Sequence, residues 1–142
     1  MTMKENYKIL GKYIKDMSSE TPDIETFLFV RDYISKYQLD IGITSKALKN
    51  KLIEINTTFK FEDKEQNAKK SYFEIVFATI VRVSDEIKEK KDLEKIILCD
   101  VQKEIYPNLE TSFLNLLHNS GYPGIKFEKK IDFEKLYNQK FN

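Results

Sequence analysis

Ser71–Val83, SYFEIVFATIVRV, alternates along nearly its whole length. Phe73, Ile75, Phe77, Val81 and Val83 recur at every second residue, and Thr79 completes the row. Successive side chains of a strand point to opposite faces, so this row forms one continuous apolar face. The other row, Tyr72, Glu74, Val76, Ala78, Ile80 and Arg82, is polar at both ends and apolar in the middle. A strand buried on one face and partly on the other belongs at the centre of an antiparallel sheet. The rest of the chain has to supply its neighbours and a cover for its apolar face.

Upstream, Lys51–Phe61 alternates Ile53, Ile55, Thr57, Phe59 and Phe61 against Glu54, Asn56, Thr58 and Lys60. Tyr37–Thr44 alternates Leu39, Ile41 and Ile43 against Gln38, Asp40 and Gly42. The joins, Lys46–Asn50 and the charged Glu62–Lys70, are polar, and the second is predicted to be an exposed hairpin loop. Three such runs in succession predict an antiparallel meander. Asn6–Met17 is a fourth strand candidate whose alternation shifts near Gly11, which predicts a bulge or bend there. Ser18–Lys36 holds no clean period and is predicted as a long irregular segment. Its Phe27, Phe29, Val30 and Tyr33 make it too aromatic for disorder, so it is expected to lie on the surface as an apolar strap.

Beyond Val83 the period becomes helical. Asp92 is the expected N-cap, and Leu93, Ile96, Ile97, Val101 and Ile105 form a stripe that Leu98 widens. A face that wide suits packing on a second subunit as well as on the helix's own sheet, so Leu93, Ile97, Leu98 and Val101 are the interface candidates. Pro107 is expected to end this helix and open the next, which carries Leu109, Phe113, Leu116 and Leu117. Gly121 fits a C-terminal cap, and Asp132 caps a short helix with Phe133, Leu136, Tyr137 and Phe141 on one side. Strands first and helices afterwards predict an α+β fold: a four-stranded antiparallel sheet with helices packed on one face, all in one domain spanning residues 1–142.

Composition narrows the function classes. The chain has 142 residues and a net charge of +1, with lysines interleaved among acids. Arg31 and Arg82 are its arginines. No one-sided basic patch marks a nucleic-acid binder. No apolar run approaches the roughly 20 residues of a membrane span. The charged start, MTMKENYKIL, is unlike a signal peptide, and a lone Cys99 suits a reducing compartment, so a cytoplasmic location is expected. His118, in the last turn of a helix, suits the helix dipole, and Cys99 reads as a small buried hydrophobe. Neither a phosphate loop nor a nucleophile elbow is present in the sequence. The expectation is a binding protein, not an enzyme, that needs no cofactor or metal. Apolar surface around an open strand edge would grip extended chains with little sequence preference.

Several segments resemble the SecB family of protein-export chaperones. Tyr13-Ile14-Lys15-Asp16-Met17-Ser18-Ser19-Glu20-Thr21-Pro22 is similar to the run that closes the family's first strand. Gln38-Leu39-Asp40-Ile41 is similar to its Lys-Leu-Asp-Leu strand start, and Tyr106-Pro107-Asn108 to its Cys-Pro-Asn helix junction. Ile131-Asp132-Phe133-Glu134-Lys135-Leu136-Tyr137 is similar to its C-terminal motif. The resemblance implies a homotetramer, a dimer of dimers with the first long helix at the inter-dimer contact. It implies a holdase that delivers unfolded precursor polypeptides to the ATPase SecA. The client surface it implies maps to Phe27, Phe29, Tyr33, Leu109 and Phe113. The SecA surface maps to Asp16, Glu20 and Glu74, with Tyr72 beside them. The chain departs from the family in its near-neutral charge, in Glu110–Leu114, and in Glu25 at the second proline of the loop motif. Those departures also suit a dedicated chaperone of a single client, such as an antitoxin in a toxin–antitoxin–chaperone system. An α+β structural or regulatory oligomer without clients is the alternative of another class.

Overall fold

The computed structural model describes residues 6–65, 67–127 and 131–141. Four strands, β1 (Tyr7–Glu20), β2 (Gln38–Ala47), β3 (Leu52–Glu62) and β4 (Tyr72–Val83), form one antiparallel sheet in the order β1-β4-β3-β2. The stretch read as central is central: β4 pairs with β3 on one side and with β1 on the other. β2, β3 and β4 are the predicted meander. A turn at Lys49–Lys51 joins β2 to β3, with Asn50 and Lys51 both at φ 63°. β1 carries the expected irregularity between Ile9 and Gly11, and a second one between Ile14 and Asp16. The Glu62–Lys70 segment is the predicted hairpin connection, with Gln66 outside the described residues.

Burial follows the alternation. Phe73, Ile75, Phe77 and Val81 of β4 and Ile55, Phe59 and Phe61 of β3 are buried. Residues paired across an antiparallel ladder share a face, so these side chains make one slab. On the other face Tyr72 and Arg82 are exposed and Glu74, Val76 and Ile80 half-buried. The helices therefore cover one face, as an α+β fold requires.

The cover is a long helical stretch comprising α2 (Lys90–Lys95), a π turn at Ile96–Asp100 and α3 (Val101–Asn119). In α3, Val101, Ile105, Leu109, Phe113 and Leu117 recur every fourth residue, and each is at most 1% exposed. Burying a side chain of this size contributes about 1.5–3 kcal/mol, so this stripe anchors the helix on the sheet. Two helix-end expectations need correcting. The helix begins at Lys90 with Glu89 at the N-cap position, which leaves Asp92 inside the first turn. Pro107 does not end it: α3 runs through Pro107 to Asn119. Proline removes one hydrogen bond and crowds the carbonyl four residues back. Here Pro107 and Lys103 both lie on the exposed side, where water can serve that carbonyl. Gly121, at φ +110°, closes the helix as expected.

The predicted irregular segment also needs correcting. β1 extends to Glu20, and Ile24–Tyr33 is a helix, α1, followed by a 3-10 turn at Ile34–Lys36. Asp23 caps it by accepting a hydrogen bond from the Thr26 backbone N–H at 2.8 Å. Apolar residues on both sides of α1 hide its helical period. The C-terminal helix, α4 (Phe133–Phe141), is capped by Asp132, which accepts from the Lys135 N–H at 3.0 Å. Phe133 is buried edge-on against Tyr106, and the Lys103 and Glu134 side chains pair at 2.7 Å. The Phe141 side chain lies outside the described residues.

Candidate functional site

The sheet is wider than its cover. Ile14 pairs with Phe77 and Met17 with Ile75, which puts both on the helix side of β1. They are nevertheless 43% and 45% exposed. β1 is an edge strand of 14 residues. A long edge with bare apolar side chains invites another chain to pair or pack there.

A second apolar surface lies on α1. Val30 and Thr26 face inward and are buried, while Ile24, Leu28 and Phe29 face outward. Phe29 stacks on Tyr33 with centroids 5.4 Å apart and rings 20° from parallel. Phe27 points sideways, half-buried, and packs on Tyr122 at 5.5 Å. Beneath it the rings continue without a break: Tyr122 meets Phe73 edge-on at 5.6 Å, and Phe73 meets Phe61 at 6.3 Å.

The five residues expected to grip clients therefore divide. Phe29 offers surface in the folded chain, and Tyr33 and Phe27 offer part of theirs. Leu109 and Phe113 do not, which corrects the picture of an open groove lined by all five. They are 1% and 0% exposed because they belong to the α3 stripe that holds the helix on the sheet.

The interface candidates divide in the same way. Leu93 and Leu98 are half-buried, whereas Ile97 and Val101 are turned into the core. Val101 keeps the four-residue spacing of Ile97 and Ile105, so both candidates stay on the stripe that meets the sheet, and the π turn at Ile96–Asp100 also brings Ile96, Cys99 and Gln102 inward. Gln102 secures that turn, donating from Nε2 to the Ile97 carbonyl at 3.1 Å and accepting from Thr57 Oγ1 at 2.9 Å. Leu98 instead faces a cleft of about 180 Å³ shared with Ile41, Ile43, Phe133, Leu136 and Tyr137.

Asp16, Glu20, Tyr72 and Glu74 come together. Asp16 pairs with Val76, Ser18 with Glu74 and Glu20 with Tyr72, so all four candidates share the uncovered face at one end of the sheet. Asp40 and Glu62 extend this end across β2 and β3. Lys60 approaches Glu74 at 3.9 Å, and Lys64 bonds Asp40 and approaches Glu62 at 3.4 Å. The Lys64 hydrogen bond holds the Asp40 carboxyl below its ordinary range. Five carboxylates against two ammonium groups leave this end acidic and ready for a basic partner. Tyr72 stands among them 58% exposed.

The chemistry-bearing residues are satisfied structurally. His118 Nε2 bonds the Ile125 carbonyl at 2.9 Å and ties the following loop to α3. Cys99 is a buried free thiol, and burial raises its pKa. Among the described residues no three His, Cys, Asp or Glu side chains gather as metal ligands, and no helix is long and apolar enough to cross a membrane. Sequence analysis missed Ile14 and Met17 on β1 and Ile24 and Leu28 on α1. The β1 pair lies beyond the shift in alternation at Gly11, which hides its face in the sequence, and the helices touch β1 at Tyr7 and Ser19 but leave this pair bare.

Comparison with known proteins agrees with this architecture. The family model described as "Preprotein translocase subunit SecB" matches residues 2–142. A Pelagibacter ubique (strain HTCC1062) protein, provisionally named protein-export protein SecB, is 61% identical over 140 residues, covering 99% of this chain and 100% of that protein. A protein-export protein SecB of Bradyrhizobium sp. (strain BTAi1 / ATCC BAA-1182) is 23% identical over 131 residues, covering 92% of this chain and 79% of its own. Among solved structures, a Mycobacterium tuberculosis SecB-like chaperone bound to a ChAD peptide from the HigA1 antitoxin superposes with a TM-score of 0.64. It is 10% identical, and the match covers 89% of this chain and 91% of that one.

Proposed function

This chain belongs to the SecB family of protein-export chaperones, and from that premise we propose that it works as a holdase without ATP. It binds unfolded precursor polypeptides and keeps them competent for export. The observation that carries this function is the apolar surface left bare on β1 and α1, where Ile14, Met17, Ile24, Leu28 and Phe29 are all more than a third exposed. Such surface gives non-directional affinity of about 25 cal/mol per Å² buried, which suits clients without a shared sequence. A folded protein escapes because its own apolar segments are already covered.

The β1 edge, with Ile14 and Met17, brings copies of the chain together, and Leu93 and Leu98 extend the contact toward a homotetramer. Repeated sites on several subunits turn weak contacts into avidity. Phe29 and Tyr33 grip the client, and Leu109 and Phe113 hold α3 on the sheet. The acidic end of the open face, with Asp16, Glu20, Tyr72 and Glu74, docks SecA. The working location is the cytoplasm, and the protein catalyses no reaction.

The test is aggregation of several unrelated denatured proteins with and without the chain. Broad suppression supports the function; suppression of none refutes it. Glu74→Lys should leave that suppression intact while weakening SecA binding, and the reverse pattern would invert the two surfaces. A dedicated chaperone is the second possibility, favoured by the fold shared with a SecB-like chaperone solved with an antitoxin peptide. It predicts that one client responds and the others do not.

A further inference from the structure

Phe27 sits in a slot shaped around it. At Gly121 a Cβ atom would stand 2.5 Å from Phe27 Cε1, so the ring rests directly on the glycine. The Tyr122 ring packs beside it at 5.5 Å. Tyr122 is buried and continues into the aromatic floor through Phe73. The slot is thus a glycine floor with an aromatic wall, sized for one flat side chain.

The helix that carries Phe27 is held to the core along one side only. α1 is 10 residues long, and its outer face, with Ile24 at 68% exposure, has no cover. A helix this short is marginal by itself and depends on the contacts of its inner face. Its ends lead into Pro22 on one side and a 3-10 turn on the other, and Thr26, Val30 and Ile34 tie the segment to the core along its inner side. Upstream, the Thr21 and Ser71 hydroxyls lie 2.7 Å apart and fix the point from which the segment departs.

We propose that α1 is a displaceable cover and that Phe27 is a built-in competitor, filling in the empty protein the slot that an aromatic side chain of an unfolded client takes on binding. This rests on the holdase function and adds its regulation. Clients poor in aromatic residues cannot evict Phe27 and are held only at the outer surface. A client with Phe or Tyr in an extended apolar segment exchanges one ring for another, releases α1, and gains the floor beneath. Occlusion lowers apparent affinity in proportion to the open fraction, so removing the competitor tightens binding. The sign separates this role from a simple client contact, whose loss would weaken binding.

The chain contains no Trp, so Phe27→Trp puts a single indole into the slot. The probe is a Trp-free synthetic peptide rich in Phe and Leu, bound to the intact assembly and followed by anisotropy of a labelled copy. The expected result is that peptide binding shifts the indole emission to longer wavelength and opens it to iodide quenching. Phe27→Ala should bind the same peptide at least about threefold tighter than wild type. Peptide binding with a shielded, unshifted indole overturns the proposal and leaves the holdase function standing, as does an unchanged or weakened Phe27→Ala. If the indole variant does not fold, the Phe27→Ala affinity decides alone. Failure of wild type and Phe27→Ala alike to bind the peptide overturns the holdase function and this inference with it.

Discussion

Replacing Phe29 with Asp removes the largest aromatic surface that α1 shows to solvent. Phe29 is 37% exposed, and a Phe side chain carries roughly 200 Å² of surface. A client lying on it removes about 75 Å² of that ring from water, worth about 2 kcal/mol at about 25 cal/mol per Å². One site therefore loses about twenty- to thirtyfold in Kd, and a client held by several subunits loses more. The ring also stacks on Tyr33 at 5.4 Å, so Asp costs α1 some internal support, of order 0.5–1.5 kcal/mol. Phe29→Ala separates the two effects, because it removes the surface without adding a charge. The assay is anisotropy of a labelled unfolded client at fixed ionic strength, with circular dichroism confirming the fold. A folded Phe29→Asp protein whose Kd stays within about twofold of wild type would refute the role of this face.

Three further outcomes follow from the packing. Gln102→Ala leaves the Thr57 hydroxyl and the Ile97 carbonyl without their buried partner, and should lower unfolding free energy by about 1–3 kcal/mol in a denaturant titration. Gly121→Ala should cost about 1–3 kcal/mol, from φ +110° and the close Phe27 ring, and adding Phe27→Ala should return part of that loss. The Lys103 hydrogen bond lowers the Glu134 pKa below 4.5, so this tie between α4 and α3 is present above that pH and is lost as acidification protonates the carboxyl. The protection of α4 amides, relative to intrinsic exchange, should fall as pH drops below the ordinary carboxylate range, and Glu134→Gln should show the lower protection already at neutral pH.

The sheet was readable because strand alternation is a local signal. Val81 and Phe73 announce their face without knowledge of anything else in the chain. The α3 stripe was readable for the same reason, but its continuity through Pro107 was not. Whether a proline breaks a helix depends on whether the orphaned carbonyl meets water, which is a tertiary fact. α1 escaped notice because its apolar residues serve two environments, Val30 the core and Ile24 the surface, so no one-sided period survives. The interface candidates came from one wide stripe, and spacing alone does not say that Ile97 and Val101 take its inner side while Leu93 and Leu98 stay half-exposed. The exposed apolar surface was legible only in part. The aromatic character of Phe29 marked it in the sequence, whereas Ile14 and Met17 became visible once the helices were seen to touch β1 at Tyr7 and Ser19 and to leave the stretch between them bare.

The proposed function makes bare apolar side chains on β1 and α1 the common cause of assembly and of client capture. Native mass spectrometry of the wild-type chain mixed with an unfolded, Phe-rich polypeptide reads both at once. The expected spectrum contains an assembly of several chains carrying one polypeptide. A spectrum of single chains beside free polypeptide would contradict the account.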